Sequence, residues 1–297
     1  MNLGSQLLQY TLSGITIGSL YAMVAIGFNI IYNATGIINL AQGDFVMLGG
    51  MTAVYFHNSL HMPLLLSGLI AVVIVTVIGI LFERFAISSL KNPSIITLII
   101  ITIAASILFK GGVMFIWGKD AYVLPSFSGD DPIHLLGATI MPQSIWILGF
   151  LALIVSALAL FFKFTIVGKA MKACAYNRKA ASIVGINVKI MVMVSFALSA
   201  FIGGLAGVIV TPITLAHYDR GTLLGLKGFG TAVLGGLGNM GGAVAAGLII
   251  GLLESYSAGL LSSGYKDAVA LVILLMVLYF KPGGIFGKKE IQSLKTY

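Results

Sequence analysis

Charge is scarce in this chain. Only 9% of its 297 residues are Asp, Glu, Lys or Arg, against 59% hydrophobic residues and a mean hydropathy of +1.06. That balance lies outside the soluble globular range. Acid is scarcer than base, at nine residues against 17, for a net charge of +8. The cations cluster on loops rather than in aromatic-interleaved stripes, which gives nucleic acid no support as a partner. Cysteine occurs once, at Cys174, so no internal disulfide can form and no redox or metal chemistry follows. Gly-Lys-Ser and Gly-Lys-Thr are missing, so the chain has no phosphate-cradling loop, and any energy from ATP comes from a partner. HExxH and GxSxG are missing as well, and His57, His61, His134 and His217 all fall on expected outer loops. The reading is a non-enzyme without a cofactor. Residues 1–9 hold no Lys or Arg, unlike the start of a cleavable signal peptide, so the first apolar stretch is expected to remain as a span.

What fills the chain is hydrocarbon and glycine. Stretches long enough to cross ~30 Å of bilayer core lie near 9–32, 64–82, 95–118, 143–162, 191–214, 241–262 and 265–280. Two Gly-rich segments, 36–56 and 223–236, are harder to place. Loop charge decides their parity. Residues 163–190 are strongly basic and therefore inside, 119–142 carries Asp120, Asp130 and Asp131 and is an external loop, and Arg84 with Lys91 is inside. A tail with Lys281, Lys288, Lys289 and Lys295 is also inside, which requires 223–236 to cross. The expectation is an all-α polytopic membrane protein, one transmembrane domain over 1–297. Nine crossings fit best within a range of eight to ten, with the N-terminus out and the C-terminus in.

Glycine marks two kinds of place. Gly14/Gly18, Gly203/Gly207 and Gly247/Gly251 have the four-residue spacing that lets helix backbones approach closely. The segment 223–236, ~21 Å if helical, is short for a span and reads as a broken or tilted helix. Asn33 to Gly43 is polar and Gly-bearing just before an apolar run, as unwound backbone at a helix start would be. Such interruptions in opposite halves of a chain point to a possible internal repeat around a translocation path.

The basic stretch has its own grammar. Lys163, Lys169, Lys172, Arg178, Lys179 and Lys189 occur there without one acid. Asn177 can cap a helix over Arg178 to Val184, which Gly185 would end. Lys169, Lys172, Tyr176 and Lys179 recur at spacings of three and four and are expected to form one stripe. A basic loop can simply fix topology against lipid headgroups, but a capped helix on the membrane face favours docking of a protein.

Ionisable residues within spans are functional candidates by default. Glu254 lies inside 241–262 and Lys227 inside 223–236, and the two are expected to pair as a lock between neighbouring spans. Lys110 is expected to reach the headgroups at its span's outer end. Asp44 either starts a helix at the interface or, with Asn39 and Gln42, lines the cytoplasmic part of a pathway.

Four blocks carry a resemblance. GSLYAMVAIGFNIIYNATGIINLAQGDFVMLGGM (18–51), GKAMKACAYNRKAASIVGIN (168–187), LKGFGTAVLGGLGNMGGAVAAGLIIGLLES (226–255) and SSGYKDAVALVILLMVLYFKPGGIFG (262–287) resemble, in order, the branched-chain amino acid permease subunits of bacterial ABC importers. Where that family usually reads N-F-A-H-G-E, this chain has Asn39, Leu40, Ala41, Gln42, Gly43 and Asp44. The resemblance implies a permease in the bacterial or archaeal cytoplasmic membrane, working with two cytoplasmic ABC ATPase subunits, a second related permease and a periplasmic or surface-bound binding protein. It makes 163–190 the ATPase-coupling loop, with Ala173, Asn177, Ala181 and Gly185 at its matched positions. Leu, Ile and Val are the leading cargo, with urea, short amides and other small carboxylates as alternatives. A stand-alone ion-coupled carrier or channel is the rival class, in which Glu254 becomes the coupling carboxylate.

Overall fold

The structure is a computed structural model that describes residues 3–90, 93–135 and 137–287. Its organising element is α1 (Leu3–Thr35), 33 residues and so ~50 Å long. Nearly nine-tenths of its apolar window is buried. α5 (Pro142–Phe164), α8 (Val188–Thr214), α9 (Arg220–Gly235) and α10 (Met240–Leu260) pack around it. A second packed cluster joins α2 (Gln42–Val54), α3 (Leu64–Phe82) and α4 (Ile95–Trp117) to the other face of α8. α3 is the most apolar span and yet mostly exposed, the order expected where lipid rather than water surrounds the bundle.

The α1–α10 seam shows why the glycines are there. A Cβ at Gly14 would lie 2.8 Å from Leu252 Cα, and one at Gly18 would lie 2.6 Å from the Gly247 carbonyl oxygen. Gly251 faces Gly18 from the other side, so both four-residue glycine pairs meet in one contact. Gly203 and Gly207 do the same for α2, against Phe45 and Val46.

Among the described residues, seven helices are long and apolar enough to cross a membrane. The other two expected crossings are the short ones. α2 has 13 residues, ~20 Å, and runs into a π-helical turn over Tyr55–Ser59; α9 has 16, ~24 Å. The expected unwinding after Asn33 runs from Gly36, at φ +67°, to Ala41. The external loop contains a feature absent from an all-helical expectation. Ile133–Leu135 and Ala138–Ile140 form an antiparallel hairpin, turned at Gly137 with φ +83°.

Loop contacts define the two ends of the bundle. The hairpin's Thr139 N–H donates to Gln9 Oε1 at 2.7 Å, and Tyr122 pairs with Ala216, so the start of α1, 119–142 and the α8–α9 loop share one end. At the other end, Arg178 approaches Gly36, Asn33 donates to the Gly238 carbonyl at 2.9 Å, and Asn239 donates to the Phe286 carbonyl at 3.0 Å. Lys281 closes α11 (Lys266–Phe280) near this second end. Lys91, Lys288, Lys289 and Lys295 lie outside the described residues.

Candidate functional site

The unwound stretch and the two short helices meet inside the bundle. A Cβ on Gly43, in the first turn of α2, would lie 2.6 Å from Gly225 of α9, and one on Gly221 would lie 2.7 Å from Asp44 Oδ1. Only glycine permits two helix starts to cross this closely. Asn39, Gln42 and Asp44 are all fully or almost fully buried here. Asn39 Oδ1 accepts the Ala41 N–H at 3.2 Å, folding the backbone into the start of α2. Gln42 lies beside Gly27, its Nε2 donating to the Ser199 carbonyl at 3.3 Å, while the single hydrogen of the Ser199 hydroxyl has Gln42 Oε1 and the Gly27 carbonyl within reach as alternative acceptors. α2 therefore begins against the interior of α1 and α8. Asp44 is accordingly surrounded by protein in the first turn of α2.

Lys110 departs from expectation. Its ammonium turns inward to 4.0 Å from Asp44 Oδ1, rather than out to the headgroups, with a quarter of the side chain exposed. Ser106, one turn earlier on α4, lies close to Asp44, and Thr102, a turn before that, accepts the Leu40 N–H at 3.2 Å. Thr102, Ser106 and Lys110 thus form a polar stripe facing the unwound backbone. Sequence reasoning missed it, although the repeat of four polar positions apart in an apolar span was there to read.

The expected Lys227–Glu254 pair is present. Lys227 Nζ lies 2.9 Å from Glu254 Oε1 and 3.0 Å from Oε2. Tyr21 of α1 completes it, donating to Glu254 Oε2 at 2.7 Å and accepting from Lys227 Nζ at 2.9 Å. Three helices are tied at one buried point, and nothing in the sequence singles out Tyr21.

The basic loop folds as two helices. α6 (Ile166–Tyr176) is capped by Thr165 and α7 (Arg178–Ile183) by Asn177, whose Oδ1 accepts the Ala180 N–H at 3.0 Å. At its end the Gly185 N–H reaches the Ser182 carbonyl and the Ile186 N–H reaches Ala181, with Gly185 at φ +89°. That is the glycine-terminated stop expected from the sequence. The single expected stripe is broken, however, because Asn177 is extended (φ −157°, ψ 107°). Lys169, Lys172 and Tyr176 belong to α6, and Lys179 to α7. Met171, Cys174 and Ala181 point inward, so Ala181 offers no surface, and Ala173 is half-buried. Outward stand Lys169, Lys172, Arg178 and Lys179 and, from the end of α6 to the end of α7, the large apolar side chains Tyr176 (89% exposed), Ile183 (86%) and Val184 (76%). Burial pushes the Cys174 thiol above its ordinary range, with the Arg178 charge acting in the opposite direction.

Residues 10–278 match the family described as the permease component of the branched-chain amino acid transport system. The chain belongs to this family. It is 33% identical to the high-affinity branched-chain amino acid transport system permease protein LivH of Escherichia coli K12, over 97% of each chain. It is also 28% identical to the ribose import permease protein RbsC of Haemophilus influenzae, over 88% of this chain and 81% of that one. Among solved structures, PsaBC from Streptococcus pneumoniae in complex with Fab shares the fold, with a TM-score of 0.52 at 12% identity over 93% of this chain and 92% of that one. The chain is accordingly a multi-pass permease of the cytoplasmic membrane, and members of its family act as membrane subunits rather than as catalysts.

Proposed function

We propose that the chain is a membrane-spanning subunit of an ATP-driven importer that carries Leu, Ile, Val or related small amino acids handed over by a binding protein. The match to LivH over nearly the whole of both chains carries this reading. Two cytoplasmic ATPases supply the energy, and a second, related permease completes the pathway.

The coupling face is 163–190. Tyr176, Ile183 and Val184 present apolar anchors among Lys169, Lys172, Arg178 and Lys179, the combination of buried anchor and charged rim by which a helix seats in a protein groove. Asn177 and Gly185 fix that helix, and Ala173 and Ala181 let it pack on its own domain. Closure of the ATPases around ATP moves α6 and α7 as a unit and shifts α5 and α8, to which they are joined. Asn39, Gln42, Asp44, Lys227 and Glu254 supply polar groups along the interior path, with the Lys227–Glu254–Tyr21 knot as its structural anchor.

The complex purified from native membranes in mild detergent tests the reading. Two ATPases, a second permease and a binding protein, together with ATP-dependent leucine uptake in proteoliposomes, are the expected result. A homo-oligomer that moves leucine without ATP would instead make this a secondary carrier.

A further inference from the structure

The Asp44–Lys110 contact is a poor ion pair in a costly place. At 4.0 Å it is too long for a hydrogen bond, and Asp44 Oδ1 has no hydrogen-bond partner among the described residues. Asn39 Nδ2, fully buried at the same junction, is likewise without one. A buried acceptor and a buried donor left open are expensive unless something else fills them. The carboxylate is walled in, whereas the Lys110 side chain is a quarter exposed and sits on a flexible four-carbon stem. Lys110 is thus the movable half of the pair. Asp44 itself sits in the first turn of α2, where the helix dipole favours negative charge.

We propose that Asp44 and Lys110 form a two-ended subsite for a zwitterionic α-amino acid on its way through the membrane. This rests on the amino-acid reading above and deepens it. An amino acid carries its ammonium and carboxylate about 3 Å apart across one α-carbon. It can therefore insert between the two side chains as a pair of opposite charges. Lys110 swings to take the carboxylate, Asp44 takes the ammonium it has released, and Asn39 Nδ2 is a further donor for the carboxylate. Ser106, close to Asp44 on the facing helix, is a positioning residue. In the empty protein the two charges offset each other, so neither is left alone in the low-dielectric interior. Neutral solutes have no means of separating the pair, which gives the membrane step a preference of its own beyond that of the binding protein.

The complete importer, with its binding protein, is reconstituted in proteoliposomes and assayed for L-leucine uptake, after the membrane yield of each variant has been matched. Lys110→Gln is expected to lower uptake about tenfold or more, the size of one lost charge contact, and Lys110→Arg to retain most of it. The double change Asp44→Asn with Lys110→Gln decides between subsite and simple tie. Removing both charges relieves a structural ion pair and restores uptake, whereas a zwitterion subsite stays defective. Restored uptake in the double variant, or full uptake by Lys110→Gln, overturns the subsite while leaving the importer reading intact. Import of an uncharged sugar in place of leucine by the unaltered complex overturns both.

Discussion

A lysine and a glutamate among hydrocarbon helices are stable only as partners. Lys227 and Glu254, tied through Tyr21, satisfy each other at one buried point. Removing one charge strands the other, at a cost on the order of 3–5 kcal/mol, whereas removing both is close to neutral. Glu254→Gln should therefore cut the yield of folded protein and lower the melting temperature. The double change Glu254→Gln with Lys227→Met should recover most of the loss in the same thermal assay. A single variant of full stability but altered cargo preference would move Glu254 from the scaffold to the pathway. Cys174 gives a second expectation at this scale. Its thiol is buried and its pKa is raised, so little of it is thiolate at neutral pH. Maleimide should label the folded protein far more slowly than the denatured one, and rapid labelling of the native protein would show α6 lifted from its seat.

At the scale of elements, the coupling helices were legible in part. Capping is local chemistry, so Asn177 and Gly185 announced both ends of α7. The relation between α6 and α7 depends on the extended backbone at Asn177, and spacing alone read straight through it. Ala181, expected at a matched position of the coupling loop, is buried, and its small size serves packing on its own chain. Ala181→Glu places a charge in that packing and should abolish uptake by dislodging α7. Ile183→Asp, which touches only the outer face, should abolish uptake with α7 intact and release the ATPases during purification. Normal uptake by Ile183→Asp would remove the apolar anchor from the coupling account. Gly185→Val forces a β-branched residue to φ +89°, a strain on the order of 1–3 kcal/mol, and should resemble Ala181→Glu more than Ile183→Asp. The polar stripe on α4 was the opposite case. Thr102, Ser106 and Lys110 have a helical period, but their meaning depends on the unwound backbone facing them, and that is a tertiary fact.

For the whole molecule, hydropathy located the seven long spans because lipid imposes one requirement on every helix that crosses it. It did not locate the starts of α2 and α9, which meet where Gly43 crosses Gly221 and Gly225. Orientation is an expectation from the basic loop, and the loop contacts put the acidic 119–142 and Arg178 of the basic loop at opposite ends of the bundle. With Cys174 silent, single cysteines at Asp131 and Lys169 report sidedness directly. An impermeant maleimide applied to intact cells should label Asp131→Cys and spare Lys169→Cys. The reverse pattern would invert the topology and detach 163–190 from any cytoplasmic ATPase.

The burial of α1 has a bearing on how the protein is made. Tyr21 finds its carboxylate 233 residues further along the chain, and Asn29 and Asn33 find their carbonyl partners more than 200 residues on. Between synthesis of α1 and synthesis of α10, the translocon must release or retain a helix whose glycine seam and amide groups have no native neighbours. Contacts this distant in sequence also favour slow assembly. A ribosome stalled after α5 would therefore leave α1 as an orphan in the bilayer, open to membrane proteases, so that quality control on this permease falls on its oldest helix waiting for its youngest ones.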